Sequence, residues 1–227
     1  MWIKSLKDSY SGKRCFIVAT GPSLKISDLD LIKDEYSFGV NSCVLALDKT
    51  DWRPDFFILH DSKAWMTLKN IITAHPELKA AVADFVAKRY QVPQWIKRYP
   101  FHRLTSRMYH LKGYPSKFIF SDDCYASVYD GGSVVFTAMQ FAVYMGFKEI
   151  CLLGCDCNYS QEKKHFLKYE IMRIARQSSI DGERMIASHG YFKKFADSHG
   201  VKVINCTRGG MLEVYPRKPL EEVLSAR

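Results

Sequence analysis

"RCFIVATGPSLKISDLD" occupies residues 14–30. Its first part, 14–20, is a short and mostly apolar run, as expected of a strand covered on both faces. Gly21-Pro22-Ser23 then breaks the run. Beyond the break, Ile26 to Ile32 carries apolar residues at helical spacing, with Ser23 as the expected N-cap. Strand, tight turn and helix in that order form the opening unit of an α/β protein.

The same alternation returns down the chain. "SFGVN" (37–41) and "DFFILH" (55–60) read as the second and third strands, each followed by helical patterning in "SCVLALD" and in 61–75. A further helical pattern covers 78–90, and "SKFIFS" (116–121) reads as a strand. "GGSVVFTAMQFAVYMGF" (131–147) opens on two glycines, is apolar nearly all round, and closes at Gly146 as a C-terminal glycine. "EICLLG" (149–154) is another buried strand. Amphipathic helices are expected over 163–177 and 183–198, a last strand at "VKVINCT" (201–207), and a short helix in "PLEEVLSA". Apolar strands alternating with helices predict an α/β, Rossmann-like, mostly parallel sheet with helices on both faces.

At 227 residues, 47% of them hydrophobic, the chain is expected to form a single domain over 1–227. No apolar run approaches the roughly 20 residues of a membrane span. The start "MWIKSLKDSYSGKRC" lacks the apolar core of a secretory signal. Seven cysteines, an odd number and mostly within apolar runs, suit reduced thiols in a cytosol. Cys151, Cys155 and Cys157 have no second pair to complete a four-ligand zinc site, so they read as small hydrophobes at a strand end. The expected location is the cytoplasm, with peripheral contact at the inner membrane face.

The net charge of +9 is concentrated. Between 88 and 117 stand Lys88, Arg89, Lys97, Arg98, Arg103, Arg107, Lys112 and Lys117, with no Asp or Glu, and with tyrosines, Trp95 and Phe101 interleaved. Pro93, Pro100 and Pro115 break any regular pattern. This segment reads as a basic, aromatic insertion or lid of loops and short pieces. Such a surface suits anionic glycans, lipid-linked acceptors or a membrane face; nucleic acid is not among the expected partners.

In open parallel sheets ligands sit beyond the carboxyl ends of the strands. The groups there are Thr20, Gly21, Pro22 and Ser23 after the first strand, Asn41 and Ser42 after the second, and His60 and Asp61 after the third. The strand at 149–153 delivers Gly154, Asp156, Cys157, Asn158 and Tyr159. Gly132 and Ser133 open the long helix, whose N–H groups and dipole favour phosphate. Together these residues define a candidate nucleotide site. GxxxxGK[ST] and GxGxxG are both absent, which excludes a P-loop enzyme and an ordinary dinucleotide fold. "GCDC" is not the GxSxG of a hydrolase elbow. His165 and His189 are the candidate proton acceptors. No metal site is expected, except that Asp61 and Asp156 would hold magnesium if the reaction used ATP.

"GKRCFIVATGPSL", "FGVNS", "DGGSVVFTAMQFAVYMGFKEICLLGCDCNY", "HF" at 165–166 and "INCTRGGMLEVYPR" resemble the MptE-like (6-hydroxymethylpterin diphosphokinase-like) family. The same core is similar to the CMP-sialic acid-dependent sialyltransferases of glycosyltransferase family 42 and to the motility-associated factors. The resemblance implies a Rossmann-like fold with cytidine nucleotide held by Gly21 to Leu24, Asn41 and a residue near His60. It also implies phosphate lined by Ser133 and Cys157 to Tyr159. Two departures stand out: Thr20 replaces the family's asparagine, and the sialyltransferase histidine has no clean counterpart, His189 lying a few residues away. The expected activity is that of a glycosyltransferase using a nucleotide-activated sugar, with a CMP-linked acidic donor favoured, in surface-polysaccharide or glycoconjugate synthesis. The alternatives are an ATP- and magnesium-dependent diphosphokinase and a non-catalytic nucleotide-binding module.

Overall fold

A computed structural model describes residues 2–103, 118–158, 166–167 and 179–226. Seven parallel strands form one sheet: β1 (Arg14–Val18), β2 (Ser37–Val40), β3 (Phe56–Leu59), β4 (Ala80–Ala83), β5 (Lys97–Tyr99), β8 (Glu149–Leu153) and β9 (Lys202–Asn205). Their order is β5-β4-β3-β2-β1-β8-β9. Two short strands, β6 (Phe101–His102) and β7 (Val128–Tyr129), pair in parallel beside it. The Rossmann-like reading holds. The chain runs outward from β1 on one side through β2 to β5, then returns to the other side with β8 and β9. The strand order therefore reverses between β1 and β8, the place where open α/β sheets in general take their ligands.

Among the described residues six α-helices accompany the sheet: α1 (Ile26–Leu31), α2 (Ser62–Thr73), α3 (Asp84–Arg89), α4 (Val134–Tyr144), α5 (Ser179–Ser198) and α6 (Leu220–Ser225). All eleven residues of α4 are buried, as its all-round apolar pattern demands. This helix lies across β1, β2 and β3. Gly146 follows it at φ +88°, the left-handed conformation expected at a helix end. Thr137 and Gln140 are the polar residues within α4. The Gln140 amide is fully used, bonding the backbone of Ser121, Tyr129 and Phe136 and so tying β7 to the helix.

Several expectations are corrected. Residues 78–90 are not one helix; they form β4 and then α3. Alanines at 80, 81 and 83 lend the stretch a helical propensity, which burial between neighbouring strands overrides. Residues 118–120 are not a strand, and 116–117 lie outside the described residues. Within the basic stretch, read as loops and short pieces, Lys97–Tyr99 is such a piece and forms the edge strand of the main sheet, paired with β4. Ser23 does not cap α1. The Asp28 carboxylate reaches back to the Lys25 N–H instead, at 2.9 Å. The helix expected over 163–177 falls almost wholly outside the described residues. All seven cysteines are buried and unbridged. No described helix is long and apolar enough to cross a membrane.

Candidate functional site

Strand register sets the rim. Val18 pairs with Gly39 and with Leu153, and Val40 pairs with Ile58. Continuing those registers places Thr20 beside Asn41 and Cys155, and Asn41 beside Leu59 and His60. One edge of the sheet thus gathers the ends of β1, β2, β3 and β8, with adjacent strands about 4.8 Å apart.

The crevice between β1 and β8 is bridged by a carboxylate. Asp156 accepts a hydrogen bond from the Ser23 N–H at 3.2 Å and from its hydroxyl at 2.8 Å. Asp156 is buried, and burial raises its pKa against the lowering effect of the Ser23 bonds and Arg217. Gly21 makes this approach possible. A Cβ there would lie 2.0 Å from Asp156 Oδ2 and 2.5 Å from the Gly154 carbonyl oxygen. The space left by this glycine is therefore filled by the protein's own anion. On the other side of Asp156, Gly210 allows equally close contact: its Cβ would meet the Asp156 carbonyl oxygen at 2.6 Å, and the Met211 N–H bonds that oxygen at 2.8 Å. Cys157 follows at φ +51° and turns the chain toward half-buried Asn158.

Asn41 ends β2 in the left-handed region, at φ +46°. Asparagine tolerates that conformation better than most residues. Its Oδ1 is buried with no hydrogen-bond partner among the described residues. An unmet buried acceptor costs about 1–3 kcal/mol, so its persistence at a strand end marks a position for an incoming donor. Ser42 beside it is buried in the first turn of a short 3-10 helix, Asn41–Ala46.

His60 ends β3 and bonds Thr137 Oγ1 on α4 through Nδ1, at 3.0 Å. Its ring lies 4.7 Å from that of Phe101. Burial lowers its pKa to about 4, and Arg103 adds to this against Asp61 and Asp130. The imidazole is neutral at pH 7. Asp61 turns away from this work: its Oδ1 caps α2 by accepting from the Lys63 and Ala64 N–H groups. In the sheet β3 and β8 are separated by β2 and β1. Both candidate magnesium ligands already have partners, Asp61 in the cap of α2 and Asp156 at Ser23.

The second feature expected from the sequence to favour phosphate is the start of α4. Gly131 and Gly132 have φ of +50° and +88°. Ser133 caps the helix by accepting from the Val135 N–H, and Ser188 of α5 clamps the Gly131 carbonyl at 2.6 Å. Arg184, also on α5, brings its Nε within 4.0 Å of where a Gly132 Cβ would sit. Sequence reading missed Arg184, Ser188, Thr137 and Gly210. The signals were two polar residues in an otherwise apolar helix and a second Gly-Gly pair just beyond a strand.

Of the proposed proton acceptors, His165 lies outside the described residues, as does Tyr159. Its neighbour Phe166 is described: it is buried and its N–H bonds the Thr20 carbonyl at 3.1 Å. His189 is buried on α5, with Nδ1 3.1 Å from the Tyr215 hydroxyl and its ring 4.5 Å from that of Phe136. Desolvation lowers its pKa to about 3. The ring is enclosed by Phe136 and Tyr215 and is a weak base. In the basic stretch, Lys88 pairs with Asp84, Arg98 donates to two backbone carbonyls, and Arg103 stacks over Phe85. Arg107, Lys112 and Lys117 lie outside the described residues.

A family model described as 6-hydroxymethylpterin diphosphokinase MptE-like matches residues 2–162. The chain belongs to the MptE-like family. No curated protein matches this MptE-like chain. Among solved structures it is similar to the MAf glycosyltransferase from Magnetospirillum magneticum AMB-1, with a TM-score of 0.58 and 17% identity over 95% of this chain and 35% of that one. The MptE-like chain thus spans about a third of the neighbour's length, and at that identity the likeness concerns the fold.

Proposed function

We propose that this MptE-like chain is a glycosyltransferase that binds a nucleotide-activated sugar, a CMP-linked acidic sugar being the favoured donor. The unmet Asn41 Oδ1 carries the reading. It sits in the row of strand ends, and an amino or hydroxyl group of a nucleoside would supply the missing donor. His60, neutral and held by Thr137, stands beside it. The acceptor hydroxyl attacks the anomeric carbon and a new C–O bond forms. The bond from that carbon to the phosphate oxygen breaks, and CMP leaves with the electron pair. The N-terminus of α4, Ser133 and Arg184 face the developing negative charge. The proton of the acceptor passes to a base. His165 keeps that assignment on sequence grounds; His189, with its value near 3, is a poor candidate. An anionic or lipid-linked glycan acceptor would rest on the basic residues of 88–117.

The diphosphokinase reading has the family description in its favour. It requires magnesium with ATP, for which Asp61 would have to leave the cap of α2 and Asp156 its bonds to Ser23. A thermal-shift panel of CMP, CDP, UDP, GDP and ATP, each with and without magnesium, separates the two. At a hundredfold excess over Kd a ligand stabilises by about 2.7 kcal/mol, or roughly 5–10 °C for a domain of this size. Stabilisation by CMP without metal, lost in Asn41→Ala, is the expected result. Stabilisation by ATP only when magnesium is present would overturn it.

A further inference from the structure

At the opposite edge of the sheet from the strand-end rim lies a mostly apolar cavity of about 350 Å³. Its walls include Trp2, Phe56, Ile58, Trp95 and Phe141. It lies between the starts of β2 to β5, the last turn of α4 and the N-terminal segment. That segment is fastened in place: the Trp2 indole N–H donates to the Arg98 carbonyl at 3.0 Å, and its ring stacks 6.1 Å from that of Phe141. The volume is at the small end of the roughly 300–1,000 Å³ found for ligand sites, enough for a chain or a ring but not for a nucleotide sugar.

The charged residues of the lining are net positive. Lys79 and Lys97 line the cavity, both exposed, and the Lys79 ammonium lies over the Phe56 ring, 5.9 Å from its centre. Glu77 lines it too and pairs with His75 at 2.9 Å and Arg53 at 3.9 Å, so two lysines stand against one carboxylate. Two lysines over a hydrocarbon throat match one class of molecule. We propose that this cavity binds the alkyl chain of a single-chain anionic amphiphile, with the headgroup between Lys79 and Lys97. The site is separate from the nucleotide rim and does not depend on the reading of that rim.

The probe is a series of alkyl phosphates from hexyl to decyl, each kept below its micelle concentration. Trp2 and Trp95 line the cavity and report by fluorescence, whereas Trp52 and Trp65 are buried elsewhere. Burying one methylene is worth about 0.8 kcal/mol, so affinity should rise about three- to fourfold per added carbon. Decanol should bind more weakly than decyl phosphate. Lys97→Glu, at an exposed position, should weaken the phosphate series about tenfold or more and leave decanol unchanged. Ala81→Leu, inside the cavity, should weaken both; should it fail to fold, the chain-length series and Lys97→Glu still decide. A flat series, no change in emission, or equal affinity in Lys97→Glu overturns the proposal. So does co-sedimentation with phosphatidylglycerol vesicles in the absence of monomer binding, which would mean surface attraction instead of a bound chain.

Discussion

Replacing Gly21 with alanine adds one methyl group at the most closely confined of the described glycines. The new Cβ would meet Asp156 Oδ2 at 2.0 Å, the Gly154 carbonyl at 2.5 Å and Asp156 Cγ at 2.7 Å. None of these can yield cheaply, since one is backbone and the others belong to a buried carboxylate fixed by Ser23. Forcing Asp156 out loses a hydrogen bond to a charged group, about 1.5–3 kcal/mol, and overpacking adds about 1–3 kcal/mol. The expected loss is about 3–5 kcal/mol, read as a fall in Tm of roughly 6–20 °C. Gly190→Ala is the control. That glycine lies inside α5 with nothing within 4 Å of its Cβ position, so alanine should stabilise by about 0.8–1 kcal/mol through helix propensity. In a double-mutant cycle, Asp156→Ala should remove about 1–2 kcal/mol of the Gly21→Ala penalty. The remainder belongs to the Gly154 carbonyl. A Gly21→Ala protein melting within 2 °C of the parent, or additive effects in the cycle, would refute the packing argument.

Acid should unfold the protein through its buried histidines. His60 and His189 have folded values lowered to about 4 and about 3 by burial. The unfolded chain therefore binds protons first. The stability they contribute is complete above about 6.5 and is lost as pH falls toward those folded values, at about 1.4 kcal/mol per pH unit for each proton taken up. His189→Gln should flatten the Tm–pH curve below pH 6 by one proton's worth; an unchanged curve would contradict the buried, neutral assignment. Asp156 works in the opposite sense: its raised pKa means stability present at low pH and lost as pH rises through its folded value. Asp156→Asn should remove that loss, and the difference in Tm between mutant and parent should shift in the mutant's favour from pH 3 to pH 7. Arg184→Gln should lower affinity for CMP but not for cytidine; equal losses for both would take Arg184 out of phosphate binding.

The fold was legible because buried parallel strands leave a plain mark: β1, β2, β3, β8 and β9 are short apolar runs punctuated by glycine, proline or a polar residue. Strand β4 was not, since "AAVA" carries alanine's helical bias, and only the strands on either side make it extended. Strand β5 was hidden by charge. Lys97 and Arg98 are exposed at the sheet edge, where polar side chains protect against unwanted pairing. The candidate rim could be listed from strand ends alone, but not what each group does there. Asp61 looks like Asp156 in sequence, both following a strand. Only the coordinates show one capping a helix and the other crossing the crevice. Arg184 and Ser188 were invisible for a related reason: they come from α5, far along the chain, and nothing local marks them.

The Asp156 bridge changes where a phosphate can go. The Gly-Pro-Ser turn has the form of an anion cradle, yet its Ser23 N–H and hydroxyl already hold a carboxylate, and a phosphate placed there would meet like charge at close range. The start of α4 is the other candidate position for charge recognition. Its two left-handed glycines, capping serine and nearby Arg184 offer partial and full positive charge on one side. Asn41 and His60 lie across the strand ends from it, and the His60–Thr137 hydrogen bond fixes their position relative to the same helix. A nucleotide lying from Asn41 toward Ser133 would then have its base end and its phosphate end indexed to one rigid, fully buried element. On this view the turn at residues 21–23 acts as the floor of the site, held shut by Asp156, and α4 is the part that recognises charge.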